Sequence, residues 1–157
     1  KEILFRQLEV AQHANKPIVF HCRKAYDDLI ELLDMFNLGC ASCPHACSSA
    51  PELKGVVHCF MGRLSQAKKF IEMGFYLSFN GIITYARDYD KVIKEIPLDK
   101  ILIETDCPYL TPEPDRDKRN EPVNVRKVAE KIAEIKGIKF EQVAKQTTKN
   151  ARELFNI

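Results

Sequence analysis

Ile101-Leu102-Ile103-Glu104-Thr105 decides the fold. It is a short apolar run without alternation, the pattern of a strand buried on both faces. It stops at Asp106, ahead of a proline-rich polar loop from Pro108 to Glu121. The same grammar recurs upstream. Ile18-Val19-Phe20 follows Pro17 and runs into His21, Gly55-Val56-Val57 runs into His58-Cys59-Phe60, and Phe75 to Phe79 reads as a further strand. Helical periodicity fills the intervals. Leu4, Leu8, Ala11 and Ala14 share one face of a helix over 2–14, which Asn15-Lys16-Pro17 stops. Leu29, Leu32, Leu33 and Phe36 form the stripe of a second helix, ended by Gly39. A third helix over 65–73 packs Ala67, Phe70 and Ile71 and places Gly74 as a left-handed cap. A short helix over 88–96 closes at Pro97. Two more finish the chain, with stripes Val125, Val128, Ile132, Ile135 and Val143, Ala144, Leu154, Phe155. Short apolar strands alternating with helices predict a parallel α/β fold.

Composition narrows the class. The 157 residues are 45% hydrophobic and 29% charged, which excludes disorder, collagen and coiled coil as the main class. No apolar run approaches the roughly 20 residues of a membrane span. A net charge of +2 neither argues for nor excludes a nucleic-acid partner. The opening residues lack the order of a signal peptide, and Cys22, Cys59 and Cys107 end apolar runs that need no disulfide, so a reducing cytoplasm is expected. No internal repeat or second domain is visible.

Chemistry gathers at the strand ends. His21, His58 and Asp106 each stand at the carboxyl end of a predicted strand, the face where parallel α/β folds build active sites. Two imidazoles and a carboxylate drawn from different strands could hold a divalent metal; the alternative is a hydrogen-bonded histidine pair at a core rim. Arg23, two residues after His21, points to the same side and could meet a phosphate or carboxylate. Glu104 and Asp106 are likewise two apart. Asp106, at the strand end, is the expected working group, and Glu104 could pair with a basic residue beneath the site. Arg116-Asp117-Lys118-Arg119-Asn120-Glu121-Pro122 concentrates three cations after the fourth strand. It reads either as a solvated face or as a holder of a substrate anion.

Taken together, the motifs resemble one family, the TatD-like metal-dependent hydrolases within the amidohydrolase-like barrels. The resemblance rests on the Lys16–Ala25 segment, Gly55-Val56-Val57-His58-Cys59-Phe60-Met61-Gly62, Ser78-Phe79-Asn80-Gly81-Ile82-Ile83-Thr84, and Glu104-Thr105-Asp106-Cys107-Pro108-Tyr109-Leu110. Lys118-Arg119-Asn120-Glu121-Pro122 and the closing Thr147-Thr148-x-Asn150-Ala151-x-x-Leu154-Phe155 extend it. It implies a (β/α)8 TIM barrel with a metal site on its upper face, and a deoxyribonuclease that cleaves DNA phosphodiester bonds. His21, His58 and Asp106 would be metal ligands, Asp106 would also be the general base toward a metal-activated water, and Arg23, Lys118 and Arg119 would contact substrate phosphate. The metal would be divalent, with zinc, magnesium and manganese all compatible with such ligands. The same chemistry would serve an amide, ester or aminoacyl substrate.

The family pattern begins with a His-x-His strand and includes a bridging Glu, and neither is in this chain. Residues 1–157 are therefore expected to form a single partial domain, the carboxyl-terminal half of the barrel: strands five to eight with their helices. The first barrel half would be absent. Such a piece would pair with an N-terminal half, self-associate, or serve as a non-catalytic fragment. Cys40, Cys43 and Cys47 with His45 fall outside the family pattern and could bind zinc or an iron–sulfur cluster as a second metal site; the alternative is free thiols in a loop.

Overall fold

The computed structural model describes residues 1–37 and 52–157. The proposed second metal site at Cys40, Cys43, His45 and Cys47 lies outside the described residues. Four strands, β1 (Ile18–His21), β2 (Gly55–His58), β3 (Tyr76–Phe79) and β4 (Ile101–Ile103), form a parallel sheet in chain order. Six α-helices accompany them among the described residues: α1 (Glu2–His13), α2 (Tyr26–Asn37), α3 (Leu64–Glu72), α4 (Asp90–Glu95), α5 (Val125–Lys136) and α6 (Phe140–Phe155). Parallel neighbours need crossovers, and helices supply them.

The numbering of these strands as five to eight, the carboxyl-terminal half of a (β/α)8 barrel, is corrected. Motif order records which residue ends each strand. It says nothing about pairing or about how a sheet is bounded, and the strand count was carried over from the resemblance. The structure supports an α/β domain on one four-stranded parallel sheet among the described residues.

Element ends also move for local reasons. β2 stops at His58, not Phe60, because Cys59 turns into the left-handed region at φ 48°. β4 stops at Ile103, although the Glu104 amide still donates to the Phe79 carbonyl at 3.0 Å. A 3-10 turn at Gly81–Thr84 has no apolar periodicity to announce it, and its cap is the Asn80 side chain, which accepts from the Ile82 amide at 3.2 Å.

The core is aromatic. Phe20, Tyr26, Phe60, Phe70, Phe75 and Phe79 are buried, and Phe20–Phe75, Phe60–Phe70 and Phe60–Phe79 meet edge to face. Burial of each such ring contributes about 1.5–3 kcal/mol. Asn150 of α6 is fully buried and donates to the carbonyls of Leu98 (2.9 Å) and Ile101 (2.7 Å). The closing motif thereby pins α6 to the start of β4. Gly81 lets the loop after β4 lie close: a Cβ there would collide with the Leu110 carbonyl and Pro112.

Candidate functional site

Sheet register builds the site. β1 and β2 pair with His21 opposite His58, so the two strand-end imidazoles meet. His21 Nδ1 and His58 Nε2 are 2.9 Å apart, and the ring centroids are 5.1 Å apart. His21 is exposed, whereas the His58 side chain is only 20% exposed.

Glu104 lies behind this pair. Its Oε1 accepts from the Cys59 amide (2.7 Å) and Asn80 Nδ2 (3.5 Å) and lies 3.3 Å from His58 Nδ1, and its Oε2 accepts from Ser78 Oγ (2.7 Å). The expected basic partner beneath the site is thus a histidine, joined by hydroxyl, amide and backbone donors. Ser78 and Asn80 belong to a stretch the sequence reading matched without giving it a role. Their spacing of two residues, which puts them on one side of β3, was the available signal.

Asp106 stands two residues past Glu104, exposed, with its backbone in the left-handed region at φ 59°. A non-glycine residue held there costs on the order of 1–3 kcal/mol, and such positions cluster at functional sites. Cys59 and Lys24 adopt the same conformation in the loops after β2 and β1. The structure brings His21 and His58 together. It does not gather Asp106 with them, since the described residues contain no group of three or more His, Cys, Asp or Glu close enough to hold a metal ion.

The cysteines beside the pair are held toward their neutral thiol form, chiefly by burial. Burial raises the Cys59 pKa, the Asn80 hydrogen bond lowers it, Glu104 and Asp106 raise it further, and Arg23 lowers it. Burial likewise raises Cys22. Neither is poised as a nucleophile.

The basic loop is less free than its composition suggests. Lys118 Nζ lies 2.7 Å from Asp115 Oδ1, and Lys127 Nζ lies 2.7 Å from Asp115 Oδ2. The hydrogen bonds from these two lysines hold the Asp115 carboxyl down at about 2. Arg116 stacks over the Tyr85 ring at 3.8 Å. Arg23 and Arg119 are exposed and make no ion pair with another described residue. Asn120, which the sequence reading left without a role, is 2% exposed. It donates to the carbonyls of Thr105 (2.8 Å) and Tyr109 (2.6 Å), pinning both sides of Asp106.

The donor set of the pair suits a divalent ion such as zinc. Two imidazole nitrogens sharing one tetrahedral ion stand roughly 3.3 Å apart, given bonds of about 2.0–2.1 Å. The observed 2.9 Å separation needs only a small opening to reach that value. Glu104 behind His58 is the carboxylate partner that metal-binding histidines commonly have.

Comparison with known proteins completes the description. The family model for TatD related DNases matches residues 1–156. The chain is 43% identical over 159 residues to YabD of Bacillus subtilis (strain 168), named an uncharacterized metal-dependent hydrolase, covering 100% of this chain and 58% of that protein. It is 36% identical over 155 residues to human deoxyribonuclease TATDN3, covering 99% of this chain and 51% of that protein. The crystal structure of YJJV, a TatD homologue from Escherichia coli K12, superposes with a TM-score of 0.82 at 29% identity, covering 96% of this chain and 54% of that one. The chain spans a little over half the length of the relatives it matches. The half-barrel expectation is overturned by these matches: the family model runs along residues 1–156, and solved structures superpose on 96% of the chain. With the family model matching almost every residue, the chain belongs to the TatD related DNase family.

Proposed function

We propose that this domain serves a metal-dependent hydrolase that cleaves phosphodiester bonds of DNA. The observation that carries this reading is the His21–His58 pair, 2.9 Å apart at neighbouring strand ends and backed by Glu104. The names of the relatives support the chemistry: metal-dependent hydrolase for YabD and deoxyribonuclease for human TATDN3.

In this reading His21 and His58 would hold a divalent ion, with Asp106 as the candidate carboxylate ligand from the end of the fourth strand. When bound, the ion supplies Lewis acidity and an activated water. The Asp106 carboxylate would serve as the general base that accepts a proton from that water. Arg23 and Arg119, both exposed and without an ion pair among the described residues, would receive the phosphate, and Lys118 would join them by leaving Asp115. No described helix is long and apolar enough to cross a membrane. The free thiols of Cys22, Cys59 and Cys107 support action in the cytoplasm.

The test is hydrolysis of single-stranded DNA and of a small phosphodiester in the presence of zinc, magnesium or manganese, with carboxylic esters as controls. Metal-dependent cleavage of the phosphodiesters is expected, with a loss of about 10²–10⁴-fold in the Asp106→Asn chain. Cleavage of esters alone, or full activity in Asp106→Asn, would contradict the proposal.

A further inference from the structure

We propose that Glu104 is a positioning residue that fixes His58 in its Nδ1–H tautomer and, through His58, fixes His21 in the same form. The argument is a proton count. Four groups converge on this carboxylate, three on Oε1 and one on Oε2, and an ionised carboxylate can only accept. The Cys59 amide and the Asn80 side-chain nitrogen can only donate, so Oε1 is an acceptor. His58 Nδ1 faces that same oxygen at 3.3 Å and must therefore carry its hydrogen. In a neutral ring this leaves the lone pair on His58 Nε2. That lone pair faces His21 Nδ1 at 2.9 Å, so His21 must donate from Nδ1 and carry its own lone pair on Nε2, on the exposed side.

The network runs from Ser78 and Asn80 at the end of β3, through Glu104 after β4, to His58 ending β2 and His21 ending β1. All four strand ends are thus linked by hydrogen bonds that converge on the Glu104 carboxylate. Glu104 is part-buried and already accepts from Ser78, Asn80 and the Cys59 amide, which separates its task from that of exposed Asp106. Resting on the metal reading, a consequence follows for binding. His58 can offer a cation only Nε2, because Nδ1 is committed to Glu104. His21 Nδ1 can join it only by moving its hydrogen to Nε2, so ion binding switches the tautomer of His21 and leaves that of His58 unchanged.

The whole chain, labelled with ¹⁵N and freed of metal by chelation, tests this by long-range proton–nitrogen correlation of the imidazoles above the ordinary histidine pKa. His21→Gln and His58→Gln variants assign the signals. Nδ1–H forms of both His21 and His58 are expected. In Glu104→Ala the His58 signal should shift toward the Nε2–H form. In Glu104→Gln, whose amide oxygen can replace Oε1, the Nδ1–H form should persist. Zinc titration of the unmodified chain should convert His21 alone, and Glu104→Ala should bind zinc about 10–100-fold more weakly. An Nε2–H form of His58 in the unmodified chain overturns the proposal, as does an unchanged tautomer in a folded Glu104→Ala chain. If that variant does not fold, the unmodified chain still decides. Failure to bind zinc would strike the metal reading and leave the tautomer assignment standing.

Discussion

Two polar regions sit on the same side of the sheet and are built differently. At the strand ends, His21, His58, Glu104, Ser78 and Asn80 are aimed by parallel register, and each is tied to the next by hydrogen bonds. In the loop after β4, the charges are mostly set against one another: Lys118 and Lys127 close on Asp115, and Arg116 lies on Tyr85. The network leaves directed lone pairs, whereas the loop leaves little net charge beyond Arg119. A run of cations in sequence is therefore a poor measure of the charge available to a ligand, and a polar residue at a strand end is a better one.

The comparison can be broken most directly at Asn120, the buried residue that joins the loop to Asp106. Asn120→Ala removes donors to two carbonyls and an acceptor for the Glu121 amide at 2.9 Å. A loss of roughly 2–3 kcal/mol is expected in denaturant unfolding. A loss below the error of the fit would show that the loop does not depend on this staple.

A smaller effect separates the two exposed cations. Arg119→Ala should weaken binding of single-stranded DNA several-fold and lower the salt slope by about one charge's worth. Lys118→Ala should change both less, because Lys118 is already paired with Asp115. Equal losses would mean that the Asp115 pairing does not restrain Lys118 in solution.

The smallest effect is acid sensitivity of the loop. The Asp115 carboxyl is lowered from 3.8 to about 2, so its folded state holds the charged form more firmly than the unfolded chain does. The associated stabilisation is complete above the ordinary carboxylate value and is lost as pH falls from 3.8 toward 2. Amide exchange in the loop should rise over that window in the unmodified chain, and Asp115→Asn should abolish the step. A step that survives Asp115→Asn would assign it to another carboxylate.

Much of the architecture was legible because apolar runs and helical stripes are local. β1 to β4 lie where Ile18, Gly55, Phe75 and Ile101 announce them, and His21 and His58 were already recognisable as strand-end residues. The missing parts are those that depend on neighbours distant in sequence. Glu104 became central only through the pairing of β3 with β4, which brings Ser78 and Asn80 to it. The left-handed Cys59 shortened β2, and nothing in its own sequence marks that turn. Asn120 and Asn150 were noticed as motif letters, but their work is to satisfy carbonyls of other segments, which only packing defines. The half-barrel assignment failed for a related reason: strand number is a property of the assembled sheet, not of any motif.

The central claim, that the His21–His58 pair is a metal site, is tested by calorimetric titration of the chelator-treated chain with zinc, beside His58→Ala. The account predicts binding by the unmodified chain and its loss in a folded His58→Ala chain. Equal binding by both would contradict it.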